Sequence, residues 1–324
     1  MSNKKTEREA TKMAALSDKL ADAYQNARPR YPIDWFTKLA ARTGQHKLAW
    51  DVGTGNGQAS IGLAEYFEKV VATDINEAQL KRAVKHVRIS YHHTPTTMSE
   101  DQMVALVGGD NSVDLIVAAQ AVHYFDLTPF YNIAKRVLRK EGGLIAVWVY
   151  NDLVISPEVD AIMKRLVDST FPFRTPVMNL AFDSYKTLPF PFEGVNGMGC
   201  EGKPITLDIP HKLSLKGFIG FLRSWQPAMK AKERGVELVT EDLISKFEEA
   251  WGDDDDVKDI FYKAHMIVGK ISASDIERHR KRFESNCVVT KLKDSNNSAV
   301  IASVTAAAFA GVAAYCAYSA RKNT

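Results

Sequence analysis

The stretch Asp51-Val52-Gly53-Thr54-Gly55-Asn56-Gly57-Gln58, with Asp74 closing the apolar run Val70-Val71-Ala72-Thr73, constrains this chain more than any other part of it. Three alternate glycines suit a tight turn between a first strand and a first helix, where the backbone must approach a ligand closely. An acidic residue about 20 positions further on, at the end of a second strand, can accept hydrogen bonds from both ribose hydroxyls of a nucleoside. Together they predict a nucleoside pocket in an α/β domain. The loop has no Gly-Lys-Ser/Thr, so it is not a phosphate-cradling P-loop, and Gln58 stands where the third glycine of G-x-G-x-x-G would be. Its nearest charge, Asp51, is an anion. An anionic turn without a basic side chain suits a nucleoside with a positive centre, such as the sulfonium S-adenosylmethionine, better than one carrying phosphates. Taken alone, a glycine-rich loop is equally compatible with plain turn chemistry.

The segments that follow continue a parallel alternation of strand and helix. Residues 56–67 predict a helix with Ile61, Ala64 and Phe67 at helical spacing. Asn76 predicts an N-cap with Gln79 at the capping-box position, ahead of a face formed by Leu80, Ala83, Val84 and Val87. Residues 89–92 predict a third strand and 113–118 a fourth, apolar almost throughout, as a strand covered on both faces should be. Thr128-Pro129 predicts a helix bearing Phe130, Ile133, Ala134, Val137 and Leu138, ended by Gly142-Gly143 before a strand over 144–150. The expected fold is α/β, a doubly wound Rossmann-like sheet with its crevice at the carboxyl ends of the strands. Further on, Ser156-Pro157 predicts a helix with Val159, Ile162, Met163, Leu166 and Val167 on one face. Residues 171–176 and 188–192 read as irregular, 205–209 and 260–268 as strands, and 214–225 and 240–251 as helices, an α/β substrate cap over the crevice.

In order, Asp51-Val-Gly-Thr-Gly-Asn-Gly, Asp74, Asp114-Leu-Ile-Val-Ala-Ala-Gln120-Ala-Val-His123-Tyr124-Phe125-Asp126 and Leu138-Arg-Lys-Glu-Gly-Gly-Leu144 resemble the successive motifs of class I S-adenosylmethionine-dependent methyltransferases. Upstream, Tyr24-Gln-Asn-Ala-Arg28-Pro29-Arg30-Tyr31-Pro32 is similar to the N-terminal segment of a small-molecule subgroup that includes fungal trans-aconitate methyltransferase and its plant relatives. Phe221-Leu222-Arg223-Ser224-Trp225 is similar to that subgroup's cap. The resemblance covers residues 15–270. It implies S-adenosylmethionine as cofactor and a small-molecule substrate, with a carboxylic acid, methylated to its ester, as the acceptor considered. It implies cofactor contacts from Asp51, Gly53, Gly55, Gly57, Asp74, Ile75, Met98, Ser99 and Gln120. Met98 stands where the family carries an aspartate beside adenine, and Gln226-Pro227 follows Trp225 where small residues are commoner. The implied substrate contacts are Tyr24, Arg28, Tyr31, Arg223 and Trp225, with His123 as the catalytic candidate.

Methyl transfer from a sulfonium is an in-line displacement, so the protein supplies mainly alignment and exclusion of water. A carboxylate acceptor needs no base, whereas a hydroxyl or amine needs one nearby. His123, just past the fourth strand, faces the crevice in this topology and can be that base or a substrate donor, or simply bond local backbone. Arg28 and Arg223 can grip a carboxylate with a bidentate fork or pair with protein acids. Tyr24, Tyr31 and Trp225 either line the pocket or fill the cap's core. Two other classes stay open on the residues alone: an NAD(P)-dependent oxidoreductase, whose pyrophosphate needs the third glycine, and a noncatalytic membrane-tethered cofactor-binding module.

Composition matters chiefly at the edges of this reading. A net charge of +3 gives no reason to expect nucleic acid, and Cys200, Cys287 and Cys316 show no ligand spacing, so no metal is expected. Residues 298–320 carry no charge, and these 23 residues in a helix extend about 34 Å, enough for a hydrocarbon core of about 30 Å. Alanine dominates the segment, Val300, Ile301, Val304, Phe309 and Val312 are its strongly apolar members, and Tyr315 and Tyr318 sit near Arg321 and Lys322 as interface residues do. A buried alanine-rich helix is the alternative. The expected division is N-terminal helices over 1–45, a cofactor-binding core over 46–150 and a cap with the final strands over 151–271. A linker over 272–297 and a transmembrane tail anchor over 298–320 complete it. This organisation puts the catalytic domain in the cytosol on a membrane, the endoplasmic reticulum first among organelles, as a monomer or weak dimer.

Overall fold

The computed structural model describes residues 29–252 and 257–277. Helix α1 (Ile33–Ala40) precedes an alternation of β1 (Leu48–Val52), α2 (Gln58–Ala64), β2 (Lys69–Asp74), α3 (Glu77–Lys81), β3 (Ile89–His93), α4 (Glu100–Val107), β4 (Leu115–Ala119), α5 (Leu127–Val137) and β5 (Leu144–Val154). Then follow α6 (Pro157–Ser169), α7 (Pro176–Phe182), β6 (Glu193–Gly194), β7 (Ile205–Ser214), α8 (Leu215–Ser224), α9 (Gln226–Glu233), α10 (Glu241–Trp251) and β8 (Val257–Lys270). The strands form one sheet in the order β3-β2-β1-β4-β5-β8, with β6 and β7 both paired to the far edge of β8. Strands β1 to β5 run parallel, and β8 is inserted antiparallel between β5 and β7. The winding direction reverses between β1 and β4, which leaves a crevice beyond their carboxyl ends.

Both faces of the sheet are covered because both parities of its strands are apolar. Along β5, Leu144, Ala146 and Trp148 join a core with Phe36, Leu39, Leu63, Phe218 and Phe247, while the alternate residues Ile145, Val147 and Val149 are equally buried on the other side. The Trp50 and Phe130 rings, 6.2 Å apart, place α5 on that second face. Each large apolar side chain so enclosed contributes about 1.5–3 kcal/mol. At the amino ends of the strands, the buried Asp114 carboxylate accepts from the backbone N–H groups of Lys47 and Leu48 at 2.8 and 2.9 Å and pairs with Arg139. That ion pair ties β1, β4 and the turn into β5 together, so two residues of the resemblance have a structural use far from the crevice.

Three expectations are corrected. Helix α3 stops at Lys81, and Val84 and Val87 are exposed rather than part of an apolar face. The Val84 N–H donates to Asn56 O at 3.3 Å and its carbonyl accepts from the Tyr91 hydroxyl at 2.9 Å, which draws this stretch off the helical path toward the glycine loop. Residues 171–176 are more regular than expected: a 3₁₀ turn over Phe171–Phe173 leads into α7, whose N-cap Thr175 accepts from Met178 N and precedes a proline. Finally, the strand predicted over 205–209 runs on to Ser214 and, as β7, pairs with β8 in the main sheet. The helices α6 to α10 do the covering.

The described residues up to Ile271 form one compact unit, and residues 272–277 fall outside it. Among the described residues no helix is long and apolar enough to cross a membrane. The predicted tail anchor at 298–320, most of the predicted linker, and Tyr24 and Arg28 lie outside the described residues.

Candidate active site

The glycine loop leaves β1 in a conformation few residues can adopt. Gly53, Gly55 and Gly57 have φ of +69°, +57° and +88°, so all three sit in the left-handed region. Their surroundings differ. A Cβ on Gly53 would lie 2.6 Å from the Ala121 Cβ, and one on Gly57 would strike the Tyr91 hydroxyl, whereas one on Gly55 would meet nothing within 4 Å. Gly53 and Gly57 are therefore glycines for packing, and Gly55 is the one that borders open space. Two backbone bonds, from the N–H groups of Gly53 and Thr54 to Thr73 O at 2.8 and 3.0 Å, fasten the loop to the end of β2.

Two carboxylates hold the loop from opposite sides. Asp51 is fully buried beneath it, and one of its oxygens accepts from the hydroxyls of Thr54 and Ser60 at 2.6 and 2.5 Å. Its other oxygen, Oδ1, has no partner among the described residues. Burial pushes the carboxyl up to about 6, against those hydroxyl bonds and with the help of the nearby Asp74 charge. Asp74 borders the crevice; its Oδ2 accepts from Gly55 N and its Oδ1 from Asn76 N, both at 2.7 Å. Each oxygen keeps a second lone pair, and the backbone bonds fix the carboxylate as a rigid acceptor pair at the end of β2.

The crevice that opens from this loop has a volume of about 540 Å³. Gly53, Thr54, Gly55, Asn56, Asp74, Asn76 and Gln79 form one end. Ala119, Gln120, His123 and Tyr124 follow β4 along its floor, and Gln120 takes φ +56° so that its side-chain amide donates to Tyr150 O at 2.8 Å. The roof comes from Tyr31, Tyr150 and Asn151, from Met178, Ala181 and Phe182 on α7, and from Ser224 through Pro227 at the junction of α8 and α9. The Tyr124 hydroxyl donates to Gln226 Oε1, joining floor to roof. Among these described lining residues Asp74 carries the one formal charge. His123 is buried with its Nδ1 2.8 Å from the Tyr185 hydroxyl, and burial lowers its basicity to about 4, so the ring is neutral at physiological pH.

The sequence-predicted residues divide accordingly. Gly53, Gly55, Asp74, Gln120, His123, Tyr31 and Trp225 line the crevice. Asp51 and Gly57 stand behind the loop and shape it. Ile75 is exposed, and neither it, Met98 nor Ser99 lines the crevice; Ser99 is occupied as the N-cap of α4, its hydroxyl and backbone N–H both engaged with Gln102 in a capping box. Arg223 lies elsewhere: it is exposed on α8, paired with Glu241 at 3.3 Å, and not among the described residues that line the crevice. Helical phase explains it, because Leu215, Phe218, Phe221 and Leu222 claim the inward face. Asn76, Gln79, Asn151, Phe182 and Tyr185 were not foreseen. Of these Asn76 and Gln79, read as an N-cap and its capping-box partner, carried a sequence signal.

The glycine geometry has a direct test. Gly57→Ala should destabilise the fold by about 1–2 kcal/mol from its left-handed φ alone, with the Tyr91 contact adding to it. Gly55→Ala should lower thermal stability less yet weaken cofactor binding more, since its Cβ enters the crevice. Thermal unfolding and calorimetric titration of the two variants side by side would contradict this account if their order were reversed.

A doubly wound sheet with a rigid acidic residue at the end of β2, a left-handed glycine loop and a helical roof over the switch point defines the class I methyltransferase arrangement. Comparison with known proteins agrees: residues 50–146 match the methyltransferase domain family. A type II methyltransferase structure from Anaeromyxobacter dehalogenans is 32% identical, covering 75% of this chain and 97% of that one, with a TM-score of 0.63. A Dictyostelium discoideum protein of the methyltransferases is 28% identical over 262 residues, 78% of this chain and 93% of its own length. Methyltransferase pgmE of Aspergillus terreus is 30% identical over 176 residues, and there the match spans about half of each protein, 49% and 52%. The chain belongs to the class I S-adenosylmethionine-dependent methyltransferases, and it is an enzyme whose cofactor is S-adenosylmethionine. The site suits that group: Gly55 borders open space where a Cβ would intrude, and the charge at the crevice wall is negative while the cofactor's sulfonium is positive.

Proposed function

We propose that this methyltransferase esterifies a small carboxylic acid whose body packs between the aromatic walls of the crevice. The observation that carries this reading is the wall itself: among its described residues the imidazole is neutral and weakly basic, and the one carboxylate, Asp74, is held by Gly55 N and Asn76 N at the end assigned to the ribose. A carboxylate arrives already deprotonated and needs no base. When bound, the cofactor supplies the electrophilic methyl group and a positive charge that offsets the acceptor's own. Tyr31, Phe182 and Trp225 hold the acceptor's apolar part and exclude water, Asp74 fixes the ribose, and His123 with Gln226 offers neutral polar contacts to the acceptor's oxygens. Arg223 is left out of this scheme, and Arg28 lies outside the described residues. The likeness to the trans-aconitate methyltransferase subgroup supports a small acid, but a wall whose described residues include no cationic side chain favours an acid with fewer charges.

A screen with methyl-labelled cofactor, pairing each acid with its alcohol and amine counterparts, tests the proposal. An alkali-labile methyl ester is expected. Turnover confined to alcohols, phenols or amines would overturn it.

We also propose that residues 298–320 hold the enzyme on a membrane with the catalytic unit in the cytosol, on the strength of their charge-free, apolar sequence. Full-length protein expressed in eukaryotic cells should resist extraction by alkaline carbonate, and Ala310→Arg should release it. Extraction of the unaltered protein would end this reading.

A further inference from the structure

Tyr185 has no place in the crevice wall, yet its position is tightly built. Helix α7 ends in a Schellman turn: Tyr185 N donates to Leu180 O and Ser184 N to Ala181 O, both at 3.0 Å. Such a turn ordinarily places glycine in the left-handed position, but here Ser184 and Tyr185 are both left-handed, each at φ +59°. Asn151 braces them, its side-chain amide donating to Ala181 O at 2.7 Å, to Phe182 O at 3.3 Å and to Ser184 Oγ at 3.0 Å. The outcome of this strained arrangement is that a phenol is driven into the interior, wholly buried, with its hydroxyl against the ring of one residue of the β4 loop.

That residue is His123. The Tyr185 hydroxyl oxygen lies 2.8 Å from the ring Nδ1 of His123. A buried phenol must place its own proton, and Nδ1 is the acceptor within reach among the described residues. The alternative, in which Nδ1–H donates to the phenol, would leave the O–H without a partner in a sealed space. A neutral imidazole carries one proton, so an accepting Nδ1 requires an Nε2–H. Nε2 is not among the sealed, unpartnered polar atoms, and His123 lines the crevice, so this nitrogen opens onto it.

We propose that Tyr185 is a positioning residue that locks His123 in its Nε2–H tautomer, making His123 a hydrogen-bond donor to the acceptor substrate rather than its general base. The inference rests on the proposed role of His123 toward the acceptor, and it deepens that role: a donor can hold one oxygen of a carboxylate while the other meets the methyl group, and it cannot deprotonate an alcohol.

The test needs no substrate. In the full-length protein labelled with ¹⁵N at histidine, the ring nitrogen shifts of His123 at pH 7 should report a protonated Nε2 and a bare Nδ1. An Nδ1–H tautomer or an imidazolium would overturn the proposal, and this reading on the unaltered protein stands whether or not any variant folds. In Tyr185→Phe, which keeps the ring and removes the hydroxyl, His123 should shift toward a mixture of tautomers, while binding of S-adenosylhomocysteine by calorimetry should change less than twofold. An unchanged tautomer in a folded Tyr185→Phe protein would show that something else sets it. Failure of the unaltered protein to bind S-adenosylhomocysteine would count against the cofactor site and leave the tautomer result intact, so the two readings fail separately.

Discussion

Replacing Asp74 by alanine should weaken S-adenosylmethionine binding by roughly ten- to a hundredfold, about 1.5–3 kcal/mol, the range for hydrogen bonds to a charged group. Asp74 is placed to do this because both oxygens are already held, by Gly55 N and Asn76 N at 2.7 Å, which aims their remaining lone pairs at the crevice. The same two bonds mean that the substitution also loosens the loop, so the measured loss includes some rearrangement. Asp74→Asn separates the two effects, since its amide oxygen can still accept one backbone bond but the pair of acceptors is gone. Calorimetry on a folded Asp74→Ala protein showing unchanged affinity would remove Asp74 from the ribose site.

A second large effect should come from Asp51 as pH changes. Burial raises its carboxyl from the ordinary 3.8 to about 6 in the folded chain, so the folded state holds a proton that the unfolded chain has already released. The stability from this proton is fully present below about pH 3.8 and is lost as pH rises through about 6, a difference of about 3 kcal/mol by linkage. Relative to Asp51→Asn, the unaltered ligand-free protein should therefore lose about that much stability between pH 4 and pH 7. The cofactor's positive charge favours the ionised carboxylate, so binding near pH 6 should release a proton, and affinity should climb by up to tenfold per pH unit just below that value. Titrations in buffers of different ionisation enthalpy measure the proton directly. No release at pH 6, together with affinity that is flat between pH 5 and pH 7, would mean that Asp51 is not coupled to the ligand.

Much of the sheet was legible because its evidence is local. Strands β1 to β5 are short apolar runs and the turns between them carry glycine, proline and capping residues, so the order of elements follows from neighbours in sequence. Asp74 and the glycines were legible for the same reason. Arg223 stands off the crevice wall because a resemblance gives position but not helical phase; it follows the inward-facing Leu222 by one residue, and Trp225 turns inward because α8 has ended at Ser224. Ser99 carried a second signal in the sequence, since Ser99 and Gln102 have the spacing of the capping box that engages the serine in its own helix. Tyr185 was not legible at all. Its meeting with His123 across 62 positions depends on a left-handed helix end that no glycine announces.

The place of β8 bears on how the protein comes to exist. Its 14 residues lie between β5 and β7, so the edge of β5, apolar and fully formed in sequence by Val154, stays unpaired until the chain has reached about residue 270. Everything from α6 to α10 must be made first. An unpaired edge of that kind is a template for other chains, and closing it late demands contacts between residues more than 100 positions apart, which slows folding. The nucleoside-binding half is thus not a fragment that ripens early and waits for a roof. A ribosome or a cloning experiment that stops after β5 should yield an adhesive half-sheet, and β8 acts less as an addition to the enzyme than as the event that closes its sheet.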